Sequence, residues 1–97
     1  MLKKVAIFGV GLIGGSFALA LTRAGRVDHI VGFGRSPGVL LRAQALGIID
    51  TIAASAEEAV RDADLVLIAA PVAQTEAILR SIQPYLQAGT VVTDAGS

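Results

Sequence analysis

The residues with the clearest chemical signature are three glycines near the start of the chain. Gly9, Gly11 and Gly14 form the pattern G-x-G-x-x-G, with Leu12 and Ile13 between the last two glycines. In a dinucleotide-binding turn, the first glycine permits a tight turn and the second lets the backbone approach a pyrophosphate. The third lets the following helix pack closely on the strand, and the N-terminus of that helix offers free N–H groups to the phosphates. We therefore expect these five residues to bind a dinucleotide.

The residues about 20 positions after the glycine pattern indicate which dinucleotide binds, because an NAD-preferring site usually has Asp or Glu there. This sequence has Gly34, Arg35 and Ser36 instead. A guanidinium can pair with a 2′-phosphate through two hydrogen bonds, and a serine hydroxyl can donate another. These residues predict binding of NADP in preference to NAD. The alternative is a site that accepts either cofactor, with Arg35 as a solvated surface residue.

Short aliphatic runs alternate with helical patterns along the chain. The runs predict strands at Val5–Phe8, His29–Phe33, Ile48–Ala53, Leu65–Ala70 and Thr90–Thr93. Helices are predicted between them, over Leu12–Ala24, Pro37–Leu46, Ser55–Ala63 and Thr75–Leu86. This alternation is typical of a doubly wound parallel sheet, whose strands are buried on both faces. We predict one Rossmann-type α/β domain over residues 1–97, with strand order 3-2-1-4-5 and an end before a sixth strand.

The ends of the predicted strands supply further candidates for the cofactor site. Ligands of such sheets lie beyond the carboxyl ends of the strands, near the point where the strand order reverses. Ala70, Pro71 and Val72 stand at the end of the fourth strand, and Asp94 follows the fifth. We expect these four residues to line the cofactor site, although a capping role at the strand end suits Asp94 equally well.

The composition excludes several classes of protein. The formal net charge is +0 at pH 7, which offers no electrostatic attraction to nucleic acid or to an anionic membrane surface. Without cysteine, the chain has neither a disulfide framework nor a thiol nucleophile. A single histidine and scattered carboxylates do not suggest a metal site.

The apolar content is the unusual feature, since 54% of the residues are hydrophobic and only 16% are charged. Lys3 and Lys4 precede an uncharged run over Val5–Leu21, an arrangement that resembles a secretory signal peptide. The glycines that interrupt the run argue against that interpretation and against a membrane helix. We therefore expect a cytoplasmic protein whose apolar residues form buried strands and the helix faces packed on them.

Three segments resemble the prephenate/arogenate dehydrogenase family of tyrosine biosynthesis, and together they extend over nearly the whole chain: Val5–Ser16, Asp64–Val72 and Val91–Ser97. The resemblance implies that the intact protein oxidatively decarboxylates prephenate or arogenate and passes a hydride to the nicotinamide. It implies that Ser97, the last residue of an Asp-x-Gly-Ser motif, is a catalytic residue near the substrate hydroxyl and the family's catalytic histidine. It also implies that Ala70 and Pro71 border the nicotinamide ring.

The resemblance further implies parts that these 97 residues do not contain. The family's catalytic histidine follows the motif that ends at Ser97, and a helical domain binds the substrate and forms the homodimer. His29, at the start of the second predicted strand, lies at the opposite edge of the sheet and cannot replace that histidine. We expect the chain to be an incomplete domain that is inactive alone. Its uncovered sheet edge predicts self-association.

Two other functions remain open from the sequence. The first is the cofactor domain of another NADP-dependent enzyme, such as a pyrroline-5-carboxylate reductase or a β-hydroxyacid dehydrogenase. The second is a non-catalytic module that senses dinucleotides. The choice between prephenate and arogenate depends on the substrate domain, so the sequence does not make it.

Overall fold

The computed structural model describes residues 2–94, apart from the side chains of Leu12 and Ile13. The strands are β1 (Leu2–Phe8), β2 (Val27–Phe33), β3 (Thr51–Ile52), β4 (Leu65–Ile68) and β5 (Val91–Asp94). The α-helices are α1 (Leu12–Arg23), α2 (Pro37–Ala45), α3 (Ala56–Val60) and α4 (Val72–Ile82). A 3₁₀ turn over Gln83–Tyr85 continues from α4.

The strands form one parallel sheet in the order β3-β2-β1-β4-β5, which confirms the predicted Rossmann-type topology. In register, Phe8 lies beside Phe33 of β2 and Ile68 of β4. The strand order reverses between β1 and β4, so the connections that follow these strands leave in opposite directions. A crevice therefore opens beyond their carboxyl ends.

The apolar residues form a core on each face of the sheet. Along β1, Val5 and Ile7 belong to one cluster, whereas Ala6 and Phe8 belong to the other, as the two-residue period of a strand requires. The first face is covered by Ala18 of α1 with Leu40 and Ala43 of α2. The second face is covered by Ala59 and Val60 of α3 with Ile82 of α4. Burial on both faces accounts for most of the apolar composition.

Several predicted boundaries were wrong, and the third strand shows one physical reason. The strand predicted over Ile48–Ala53 is only Thr51–Ile52, because the N–H groups of Ile48 and Ile49 bond back to the Ala43 carbonyl at the end of α2. The fourth strand ends at Ile68, not at Ala70, and α4 begins at Val72. No helix within residues 2–94 has the length and apolar character needed to cross a membrane.

Candidate functional site

A cleft of about 620 Å³ opens at the carboxyl ends of β1, β2 and β4. Its lining comes from the glycine turn after β1, the β2–α2 connection, and the β4–α4 connection with one face of α4. Seven of the residues predicted to bind a cofactor line it: Gly9, Gly11, Gly34, Arg35, Ser36, Ala70 and Pro71. The sequence therefore identified three separate segments that the fold brings to one cleft.

Close packing around Gly9 and Gly14 fixes the glycine turn. Gly9 has a φ of +84°, and a Cβ there would lie 2.7 Å from the Ala69 carbonyl oxygen. The Gly9 N–H donates to the Phe33 carbonyl at 2.9 Å, which ties the turn to the end of β2. A Cβ on Gly14 would lie 2.9 Å from the Gly9 carbonyl oxygen and 3.1 Å from Ile7. The predicted close contact of helix and strand at Gly14 is present.

Gly11 differs from the other two glycines because space remains open around it. A Cβ on Gly11 would meet no atom within 4 Å, and this residue is the N-cap of α1. The first turn of α1 contains no acidic residue. The first N–H groups of a helix have no carbonyl partner within the helix and attract anions. The open face of the turn can thus admit a phosphate beside these N–H groups.

The end of β2 presents a cation and a hydroxyl to the cleft. Arg35 is exposed, and within residues 2–94 no carboxylate forms an ion pair with it. Ser36 is the N-cap of α2, yet its hydroxyl makes no capping hydrogen bond. The first turn of α2 also lacks an acidic residue. This wall of the cleft suits an anionic group.

The remaining predicted site residues lie elsewhere or outside the described residues. Val72 is the first residue of α4 and is 67% exposed, but it does not line the cleft. Asp94 is the exposed last residue of β5, paired with Ile68, and it too is absent from the lining. Leu12 and Ile13 begin α1, but their side chains are not described. Ser97 lies outside the described residues.

Sequence reasoning missed several residues that line the cleft, and two groups of them stand out. One is the aromatic pair Phe8 and Phe33, whose ring centroids lie 5.7 Å apart with an edge-to-face angle of 71°. The other is a face of α4 made by Gln74, Ala77, Ile78 and Ser81. The phenylalanines could have been found as the last residues of adjacent parallel strands. The helix face could not, because its mixed composition does not distinguish a ligand wall from solvent-exposed surface.

At the opposite edge of the sheet, where the strands begin, polar side chains form hydrogen bonds with other residues of the chain. The Asp64 carboxylate accepts from the N–H groups of Lys3 at 2.7 Å and Lys4 at 3.2 Å, and these bonds hold its pKa below the ordinary value. The Lys4 Nζ donates to the carbonyls of Glu58 and Arg61 at 3.1 and 2.6 Å, and burial lowers its pKa. His29 lies in the first half of β2, paired with Thr51 Oγ1 at 2.8 Å.

The cleft therefore has the form of a dinucleotide site, and comparison with known proteins decides the family. Residues 17–97 match the nucleotide-binding domain of prephenate dehydrogenase. The chain belongs to this family. It is 38% identical to the cyclohexadienyl dehydrogenase of Zymomonas mobilis over 96 residues, which are 98% of this chain and 32% of that protein. The prephenate dehydrogenase of Lactococcus lactis is also 38% identical, over 99% of this chain and 27% of the relative.

A solved structure agrees with the family assignment. The prephenate dehydrogenase of Aquifex aeolicus, in complex with hydroxyphenyl propionate and NAD⁺, superposes with a TM-score of 0.90 and 35% sequence identity. The match covers 100% of this chain and 34% of the Aquifex chain. This chain from the prephenate dehydrogenase family spans about a third of the length of the relatives it matches. The family match favours this assignment over the reductase and sensing-module alternatives.

Proposed function

We propose that the chain is the nicotinamide-dinucleotide-binding part of an oxidoreductase, and that the cleft holds the cofactor. The observation that supports this most is the convergence of the glycine turn, the β2 end and the β4 end on one cleft. The pyrophosphate lies against Gly11 and the N-terminus of α1, where space is open and N–H groups are available. Ala70 and Pro71 then border the nicotinamide half, as the family resemblance implies.

We further propose that the site prefers NADP to NAD. These cofactors differ only in the 2′-phosphate of the adenosine ribose, which lies at the end of the second strand in this type of fold. At this point Arg35 has no ion-pair partner among the described residues. Next to it, the Ser36 hydroxyl makes no capping hydrogen bond to α2. Both groups favour a phosphate, whereas a carboxylate at this point would repel it.

The reaction we propose for the protein that contains this chain is the oxidative decarboxylation of prephenate or arogenate. The bound nicotinamide would accept a hydride from the ring carbon that bears the hydroxyl, while a base takes the hydroxyl proton. Carbon dioxide leaves, its bonding electron pair makes the ring an aromatic phenolate, and the phenolate oxygen takes a proton back. We propose that Ser97 acts near that hydroxyl and that Asp94 stands beside the cofactor. Substrate binding and homodimerisation are assigned to a further helical domain. Turnover of both substrates with both cofactors tests this reaction.

Isothermal titration of the chain with NADP⁺ and NAD⁺ tests the cofactor proposal. A charge-assisted hydrogen bond contributes about 1.5–3 kcal/mol, so we expect NADP⁺ to bind about tenfold or more tightly than NAD⁺. Arg35→Ala should remove most of this preference and leave NAD⁺ affinity nearly unchanged. The matched control is Arg42→Ala, on the exposed surface of α2 outside the cleft lining. Tighter binding of NAD⁺ by the wild-type chain, or an unchanged preference in Arg35→Ala, would contradict the proposal.

A further inference from the structure

Gln74 is one of two polar residues on the wall that α4 gives to the cleft. The wall consists of residues at the spacing of one helix face: Gln74, Ala77, Ile78 and Ser81. The Ser81 hydroxyl donates to the Ile78 carbonyl at 2.8 Å. In contrast, the side-chain amide of Gln74 makes no hydrogen bond to any residue within 2–94, although Gln74 is partly buried. No side-chain N or O atom of the described residues is buried without a hydrogen-bond partner, so this amide is open to solvent, and on the open side of the cleft a ligand can take the place of water.

The geometry of the cleft limits which part of a dinucleotide reaches this wall. With the pyrophosphate at the glycine turn and the ribose phosphate at Arg35, the adenosine base remains to be placed. The cleft also has an apolar part to its lining, which includes Ile78 and the edge-to-face pair Phe8 and Phe33. A flat, largely apolar ring system fits such a space, and its polar edge requires hydrogen-bonding partners.

We propose that Gln74 selects adenine by pairing with its N6/N7 edge, an inference that rests on the proposed function. The amide oxygen accepts from the N6 amino group while the amide NH₂ donates to N7, the bidentate arrangement by which glutamine reads adenine in nucleic acids. Hypoxanthine has a carbonyl at position 6, so both atoms of the same edge accept. Rotating the amide does not help, because in either orientation its oxygen faces an acceptor and one hydrogen bond is lost.

The test compares NADP⁺ with nicotinamide hypoxanthine dinucleotide phosphate by calorimetric titration of the chain. We expect the wild-type chain to bind the adenine form about tenfold more tightly. In the hypoxanthine form, the hydrogen bond from N6 to the Gln74 amide oxygen is replaced by a contact between two acceptors. In Gln74→Met, which keeps the length of the side chain, the ratio should fall to within about twofold. Gln74→Glu keeps the acceptor for N6 and loses the donor for N7, so adenine binding should weaken there too. Thermal unfolding checks that both variants fold.

A matched control is Gln83→Met in the 3₁₀ turn, an exposed glutamine outside the cleft lining, which should keep the wild-type ratio. Equal affinity of the wild-type chain for the two dinucleotides would overturn the role of Gln74 and leave the proposed function standing. The same conclusion would follow if Gln74→Met kept the wild-type ratio. If neither dinucleotide binds, the proposed function itself fails, and the role of Gln74 fails with it.

Discussion

The strands begin along one side of the sheet, here called the amino edge, and end along the other, the carboxyl edge. These two edges use their polar side chains in opposite ways. At the amino edge, the residues just before β3, β4 and β5 each bond to a neighbouring segment: Asp50 to the Ile30 N–H, Asp64 to the N–H groups of β1, and Thr90 to the Ala63 carbonyl. At the carboxyl edge, three polar side chains that line the cleft make no side-chain hydrogen bond within residues 2–94: Arg35, Ser36 and Gln74. Their groups remain available to a ligand.

This difference teaches how structural polar groups can be told apart from binding groups within one small domain. The bonds of the amino edge close the loops between strands and contribute to folding, because each satisfies a backbone group that would otherwise lack a partner. The groups of the carboxyl edge add nothing comparable to the folded state. Substitutions at the amino edge should therefore reduce stability and leave dinucleotide affinity unchanged. Arg35→Ala and Gln74→Met should instead reduce the affinity for NADP⁺ and leave stability unchanged.

The largest effect is expected at Gly9, where the fold and the site depend on the same residue. Gly9→Ala places a methyl group 2.7 Å from the Ala69 carbonyl oxygen at a φ of +84°. Backbone strain and steric overlap together should cost about 3 kcal/mol of unfolding free energy and weaken dinucleotide binding. Gly25→Ala is the control, because Gly25 has a φ of +66° but no atom within 4 Å of a Cβ. It should cost about 1 kcal/mol. Equal losses in urea denaturation would show that the Ala69 contact adds nothing.

Lys4→Met should give an intermediate effect confined to the amino edge. It removes the donors to the carbonyls of Glu58 and Arg61 near the end of α3. We expect a loss of about 1–2 kcal/mol in unfolding free energy, measured by urea denaturation, and an unchanged Kd for NADP⁺. The matched control Lys3→Met removes an exposed side chain whose N–H still reaches Asp64. A weaker Kd in Lys4→Met with unaltered stability would break the distinction between the edges.

The smallest effect is a pH dependence that arises at Asp64. The N–H groups of Lys3 and Lys4 hold the pKa of this carboxyl below 3.8, so folding favours its charged form. The stabilisation is fully present above about pH 3.8 and is lost as the pH falls through the lower folded-state pKa. Asp64→Asn should therefore show a shallower loss of stability than the wild-type chain below that pH. Thermal unfolding from pH 7 to pH 2.5 checks this, with Asp28→Asn on β2 as the control; identical slopes for wild type and Asp64→Asn would contradict it.

The sequence predicted the topology and seven of the residues that line the cleft, because these depend on local patterns. The G-x-G-x-x-G spacing, the run of residues after β2 and Pro71 after β4 are all readable without tertiary contacts. The length of β3 could not be predicted in this way, because the hydrogen bonds from the N–H groups of Ile48 and Ile49 to the Ala43 carbonyl compete with strand pairing. Gln74 was missed because its significance lies in the absence of a partner within residues 2–94, which only the packed arrangement of α4 against the strand ends reveals.

The most direct test of the account is a ¹H–¹⁵N NMR titration of the chain with NADP⁺. If the carboxyl edge is the binding edge, the amide signals that shift should come from residues 9–11, 34–36, 69–70 and 72–78. The signals of Lys4, His29 and Asp64 at the other edge should stay in place. Shifts concentrated at these three residues, or no shift in the cleft at millimolar NADP⁺, would contradict the central claim that the cleft binds the dinucleotide.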